Sequence, residues 1–328
     1  MILDQVDPGD AAAVDDYVTV TNAVRAADSP WEHPLTPHEA VGQLTHGWDG
    51  EPSVGFVGRV GGSPVAAGEY AVSEYDNRHV AWVEVNVAPG HRRRGYGSAV
   101  LAALRDRARA EGRTSLGIGG WESRAAVAFA TRHGLEQKSV EVNRRQWLAD
   151  LDRDVLAAAH AEALAHAGDY ELLRIAGCSP PDLLPALAVM TAAINDAPTD
   201  DLDIEDSVFP PERIAAYDAA QAARGHRMYR LVARRRADGE LAGQSVVAVE
   251  GERPALAEQH DTSVVAAHRG HRLGQLLKTD MLRWLAEAEP QVETIDTWNA
   301  ESNARMIDVN ERLGYRVVGR GLVFQGSI

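Results

Sequence analysis

The stretch Val83-Glu-Val-Asn-Val-Ala-Pro-Gly-His-Arg-Arg-Arg-Gly-Tyr-Gly-Ser-Ala-Val-Leu101 decides how the rest of the chain reads. Its Val-rich front is suited to a strand, and Pro89-Gly90 breaks that strand. From Ser98 onward, Val100, Leu101, Leu104 and Ala108 fall at helical spacing. Three arginines and two further glycines, Gly95 and Gly97, lie between that break and the helix. Glycines let a backbone approach a ligand closely, and a helix N-terminus aims free N–H groups at an anion. The stretch therefore reads as a phosphate cradle made mostly of main chain, or else as a strand–turn–helix with a solvated Arg cluster. Two other phosphate loops are excluded. The dinucleotide fingerprint needs a third Gly where Val100 stands, and no Gly-Lys-Ser/Thr occurs.

A second copy decides between the two readings. His268-Arg-Gly-His-Arg-Leu-Gly-Gln275 matches His91-Arg-Arg-Arg-Gly-Tyr-Gly-Ser98, 177 residues later. The offset carries Val87 to Val264, Gly97 to Gly274, Val100 to Leu277 and Leu104 to Met281. Downstream, Arg132-His-Gly-Leu135 matches Arg312-Leu-Gly-Tyr315. A repeat this long is a whole domain, not a solenoid unit.

On these residues the chain resembles, twice over, the GNAT superfamily of acyl-CoA-dependent N-acyltransferases. The family loop reads Arg/Gln-x-x-Gly-x-Gly/Ala after a strand. Arg92, Gly95 and Gly97 match it in full; Arg269 and Gly274 match, with Arg272 where the middle Gly belongs. The resemblance implies an α/β fold of two tandem domains. Each is a mixed, mostly antiparallel sheet flanked by helices, with a splayed central strand pair. The expected boundaries are 1–148 and 170–328, joined by a helix over 149–169.

Composition agrees with this reading. The length of 328 residues suits two domains, and 45% hydrophobic and 25% charged residues suit globular ones. No apolar run approaches a membrane span, no basic-plus-apolar leader opens the chain, and Cys178 is the single cysteine, so the cytoplasm is the expected compartment. A formal charge of −15 argues against nucleic-acid binding and fits a cationic partner.

The resemblance also implies roles for residues. Acetyl-CoA is the expected co-substrate and a small-molecule primary amine the expected acceptor. The CoA contacts fall on Val85, Val87, Arg92, Arg93, Arg94, Gly95, Tyr96, Gly97 and Ser98 in the first copy. In the second they fall on Thr262, Val264, Arg269, Gly270, His271, Arg272, Leu273, Gly274 and Asn303. Strand backbone freed by the splay would receive the acyl carbonyl. The acceptor amine must lose a proton, often to a carboxylate acting through water. Counting from the strand end gives Glu258 in the second domain, with His260 on the same face as Thr262 and Val264, but Ala81 in the first. Glu84 lies on the opposite face of its strand by alternation. The family's Tyr acid falls on Asn310 and on Ala130, so neither copy keeps it. The second domain is the expected catalyst, with Glu258, His260 and Asn310 at its centre. Catalysis in the first domain and a CoA-binding protein without turnover are the alternatives. A metal on His268 and His271 lacks a third ligand, and no metal is expected.

Overall fold

The structure, a computed structural model, describes residues 1–328. By contact it forms two compact units, and they do not simply follow chain order. One holds Met1–Glu141, Thr199–Asp206 and Gly319–Ile328; the other holds Val142–Pro198 and Ser207–Val318. The boundaries expected at 148 and 170 divide the chain in sequence, whereas these units are interleaved.

The first unit begins with β1 (Ile2–Gln5), α1 (Ala11–Asp28) and α2 (Pro37–His46). Thr36 and Glu39 form a capping box at the start of α2. Then come β2 (Val54–Val60), β3 (Ser63–Ala71), β4 (Val80–Val87), α3 (Tyr96–Ala110), β5 (Ser115–Trp121), α4 (Arg124–Arg132) and the front of β6 (Glu136–Trp147). The second unit takes the rest of β6 and repeats the order. It runs through α5 (Arg153–His166), β7 (Tyr170–Ala176), α6 (Leu184–Thr191), α7 (Pro211–Ala223), β8 (Arg227–Arg235), β9 (Leu241–Val249), β10 (Leu256–Val264), α8 (Leu273–Ala288), β11 (Thr294–Ala300) and α9 (Ala304–Arg312). The last strand is β12 (Arg316–Ser327). No helix is long and apolar enough to cross a membrane.

In the first unit the strand order is β1-β2-β3-β4-β5-β12. Only β4 and β5 pair in parallel. In the second the order is β7-β8-β9-β10-β11-β6, with β10 and β11 parallel. Each parallel pair opens part-way. The β4–β5 ladder ends at Val83↔Ile118 although β4 runs on to Val87. The β10–β11 ladder ends at Glu258↔Asp296 although β10 runs on to Val264. Beyond those points no further ladder pairs join the two strands, which is the expected splay.

Both closing strands depart from sequence order: β6 from Val142 onward belongs to the second unit, and β12 from Gly319 onward to the first. Sequence order assigns Tyr315–Phe324 to the second half, yet Gly321–Ser327 pair with Trp121–Ser115 of β5. Leu322 and Phe324 are buried in the first unit's core beside Leu116 and Ile118. Apolar alternation shows that a strand has a buried face; it carries no information about whose core that face meets.

Phe324→Ala is therefore expected to destabilise the first unit, although residue 324 lies at the far end of the chain. Truncating a buried Phe costs about 3–5 kcal/mol. Amide exchange should quicken in Met1–Glu141, with β8 and β9 unchanged; the reverse pattern would refute the assignment.

Candidate functional site

The two Arg-rich loops have the same backbone. Arg93 (φ 63°) and Gly95 (φ 88°) are left-handed in the first; Gly270 (φ 90°) and Arg272 (φ 55°) are left-handed in the second. These are matching positions, so each loop uses one glycine and one arginine for the same pair of conformations. Left-handed backbone is costly for any residue with a Cβ. A Cβ at Gly95 would meet nothing within 4 Å, so that glycine serves conformation and not space. Gly97 differs: a Cβ there would sit 3.3 Å from Phe129 and 3.4 Å from Val87, so it lets α3 lie close to β4.

Behind each loop a helix starts without a side-chain cap, at Tyr96 and at Leu273. The first helical bonds are Ala99 N–H to Gly95 O and Leu276 N–H to Arg272 O, each 3.0 Å. The preceding N–H groups are directed out of the helix end, where an anion is favoured. By contrast α1, α4, α5 and α9 are capped by Asp10, Ser123, Asp152 and Asn303.

The loop arginines divide into two kinds. Arg92 Nε donates to Val87 O (3.0 Å), and its two terminal nitrogens grip Asp28 at 2.9 and 2.7 Å. Arg269 repeats this, donating to Val264 O (3.1 Å) and pairing with Asp196. Both are struts that tie the loop to its own strand and to the preceding helical segment. Arg272 pairs with Glu162 of α5. Arg93 and Arg94 are exposed and lack an acidic partner. The first loop thus offers two uncommitted guanidinium groups to an anion and the second offers none.

Other expected contacts are placed as follows. Val85 and Val87 pack towards α3, and Tyr96 joins them. Ser98 Oγ is 2.9 Å from His133 Nε2. Leu273 is core, so only its backbone faces the loop. His271 lies against the Tyr170 ring, centroids 5.4 Å apart, and buried His268 meets Tyr170 Oη at 3.0 Å. Gly274 has open space beside it. Asn303 Oδ1 accepts from Met306 N–H at 3.2 Å and so caps α9. Asn310 is fully buried and donates to Asn299 Oδ1 at 2.8 Å; an amide held this way supplies no proton to a leaving group. Trp31 packs edge-to-face on Trp121 at 5.1 Å.

One expectation is overturned by a bulge. Gln259 pairs with Val247, but Thr262 pairs with Ser245, so β10 carries one extra residue between them. The extra residue reverses the alternation. Glu258 and His260 face α7, where His260 Nδ1 lies 2.5 Å from Tyr217 Oη. Thr262 faces the other way, its Oγ1 3.1 Å from Ser245 Oγ, and Val264 packs into the core beneath α8. The four residues therefore do not share a face.

The carboxylates differ between units. The Glu258 side chain is 45% exposed, and its Oε2 is 3.8 Å from His260 Nε2. Desolvation pushes its pKa up, but His260, with His226 and Arg224, outweighs that and holds it below the usual range. Glu84 is the first residue past the point where β4 leaves β5. It stands opposite Glu69, whose Oε2 accepts from Tyr17 Oη at 2.8 Å. Desolvation, and then repulsion from Glu69, raise its pKa to about 7. Alternation assigns it correctly to the α1 face, but the count from the strand end passes over it. The 177-residue offset would have found it, since it aligns Glu84 with Asp261, another carboxylate raised by burial.

With this geometry in hand, the comparisons with known proteins are specific. Residues 21–135 and 193–315 each match the acetyltransferase (GNAT) family model. Mycothiol acetyltransferase of Stackebrandtia nassauensis is 29% identical over 250 residues, 75% of this chain and 74% of that protein. The Tsukamurella paurometabola protein of the same name is 29% identical over 249 residues, 75% of this chain and 78% of its own. Among solved structures, a tandem GNAT protein from the clavulanic acid biosynthesis pathway has a TM-score of 0.80 at 26% identity. It covers 99% of this chain and 98% of that one. A Sphaerobacter thermophilus GCN5-related N-acetyltransferase shares the fold, with a TM-score of 0.68 at 15% identity and coverage of 99% and 95%.

Gly95→Val is expected to weaken CoA binding at the first loop at least about tenfold and to lower Tm, because a β-branched residue resists positive φ. Arg272→Gly, which relieves the same conformation in the second loop, should keep CoA binding there. Calorimetry on both variants checks the pair; equal behaviour would refute it.

Proposed function

The chain belongs to the GNAT acetyltransferase family, and from that premise we propose that it transfers the acetyl group of acetyl-CoA to a primary amine of a small molecule by direct attack. The observation that carries this reading is the pairing, in each unit, of an uncapped helix N-terminus with a strand that leaves its parallel neighbour. The helix end suits a pyrophosphate, and the opened strand suits the pantetheine amides and the acyl carbonyl. The thioester supplies an activated acyl carbon. The new C–N bond forms as the C–S bond breaks; the amine proton passes to a base, and the sulfur leaves as CoA thiolate. Names of relatives, two mycothiol acetyltransferases and a clavulanic acid pathway protein, support a small-molecule acceptor.

In this reading the second unit is the catalyst. Glu258 takes the amine proton through water, and His260, anchored by Tyr217, sets the carboxylate's charge and place. The backbone at Thr262 and Val264 receives the carbonyl. Arg269 holds the loop, and the N–H groups of Gly270, His271, Arg272, Leu273 and Gly274 face the phosphates. In the first unit Arg93 and Arg94 add charge to the backbone cradle at Gly95–Ser98, and Val85 and Val87 line the opened strand.

A second reading puts the reaction in the first unit with Glu84 as base. It is favoured by one observation: a base works best with a pKa near the working pH, and that of Glu84 is about 7. The readings differ in pH dependence. A base must be deprotonated, so catalysis by Glu84 rises with pH through about 7. Catalysis by Glu258, whose pKa is lowered, has no carboxylate step there.

Glu258→Gln is expected to lower kcat roughly 10²- to 10⁴-fold with acetyl-CoA binding retained, and Glu84→Gln to leave it within about twofold. The opposite result, in steady-state assays over an amine panel, would move the reaction to the first unit.

A further inference from the structure

Lys278 lies in α8, five residues beyond the helix start, and is only 3% exposed. Its Nζ donates to Gln259 Oε1 at 3.3 Å and sits 5.0 Å from the centre of the Tyr315 ring. Isolated charges are rarely tolerated in a protein interior, and this one has no carboxylate partner. The groups facing it are Gln259 of β10 and Tyr315 ahead of β12; Ser245 of β9 reaches Gln259 and not the amine. From α5, His160 meets the neighbouring Thr279 at 3.2 Å. The nearby carboxylate on β11, Asp296, is gripped in two places by Arg145.

Gln259 is the first residue past the last β10–β11 pair and the first of the bulge. Its amide is fully used. Oε1 accepts from Lys278 and from Ser245 Oγ (3.3 Å), while Nε2 donates to Val246 O (2.7 Å) and Asp261 O (3.4 Å). One side chain thus binds the neighbouring strand, the bulge itself and the helix behind the phosphate loop. The first unit provides the contrast. Its β3–β4 register runs unbroken from Trp82 to Val87. Trp82 stands where Gln259 does, and buried Leu101 stands where Lys278 does. Lysine, glutamine and bulge occur together in one unit and are replaced together in the other.

We propose that Lys278 is a positioning residue for acyl transfer in the second unit: through Gln259 it fixes the bulged strand relative to the loop helix, and so the acyl site relative to the pyrophosphate site. The proposal rests on the functional reading above. α8 rises about 1.5 Å per residue, so a contact five residues in lies roughly 7.5 Å below the phosphate end, on the side where β10 opens. Burial lowers the amine to about 7, so its protonation changes within the working pH range.

The test compares wild type with Lys278→Met and Gln259→Met in the full chain. Both variants are expected to lower kcat roughly 10- to 100-fold, the range for a misplaced reacting group, with CoA affinity within about twofold. The double variant should be no worse than either single one, because both break one connection. Loss of the Lys278 proton weakens its hydrogen bond to Gln259, so wild-type kcat should fall as pH rises through about 7, opposite in sign to the rise that Glu84 would give, and this fall should vanish in Lys278→Met. Stability gives a readout free of activity. The unfolded amine keeps its proton to about 10.4 and the folded one to about 7. Wild-type stability should therefore rise between those pH values, and the Tm advantage of Lys278→Met should shrink. Wild-type kcat and pH profile in Lys278→Met of a protein that Glu258→Gln inactivates, or additive losses in the double variant, would overturn the proposal; the same result where Glu84→Gln is the inactivating change defeats the functional reading instead. Wild-type protein that binds acetyl-CoA but acetylates no amine would defeat the functional reading instead. In that case the proposal is judged by whether Lys278→Met, in a Gly95→Val background, reduces the preference for acetyl-CoA over CoA. Unchanged preference would overturn it.

Discussion

Arg92 and Arg269 close the same triangle in the two units. Each reaches back to a carbonyl at the end of its own strand and grips an aspartate from the preceding helical segment. That contact holds a loop containing two left-handed residues, a conformation that a free chain would seldom adopt. The uncapped helix end and the opened strand are both set by it. An ion pair at a partly exposed site contributes modestly to stability, so its effect is better described as geometry: it fixes the direction of the N–H groups. The arginine that resembles a phosphate ligand in sequence instead shapes the ligand site.

The two units share this frame and differ in what they place on it. The first keeps an unbroken β4, unpaired Arg93 and Arg94, and a Glu84 whose pKa is raised by desolvation and by the Glu69 carboxylate opposite it. The second has a bulged β10, loop arginines tied to Asp196 and Glu162, and a glutamate whose charge His260 favours. The first cradle is the more positive. The second has the more elaborate strand, supported by a lysine with no counter-ion in the core. A buried amine is costly to retain, which is why its coincidence with the bulge has meaning.

Most of the fold was legible in the sequence. The Pro-Gly break, the helical spacing behind it and the repeated loop locate β4 and α3, and with them β10 and α8, within a few residues of where they lie. The sites were legible only in part. Counting along β10 put Glu258, His260, Thr262 and Val264 on one face, and a single extra residue divided them. Glu84 was passed over because one strand's alternation cannot show that Glu69 stands opposite. Asn303 and Asn310 are polar residues at suggestive spacings, yet one caps a helix and the other is sealed beneath β11.

What the sequence determined by itself was the order of elements, their duplication, and the positions where glycine or an uncapped helix start makes an anion cradle. These depend on local periodicity and backbone preference, which each segment carries within itself. Only the tertiary structure decided that β12 completes the first unit, that β10 bulges where β4 does not, that two loop arginines turn inward, and that Lys278 meets Gln259. Each of these is a pairing between residues distant in sequence or a shift of register. Period-two and period-3.6 patterns say that a face is buried; the partner that buries it, and the residue at which alternation slips, are set by the packing of the other strands and helices.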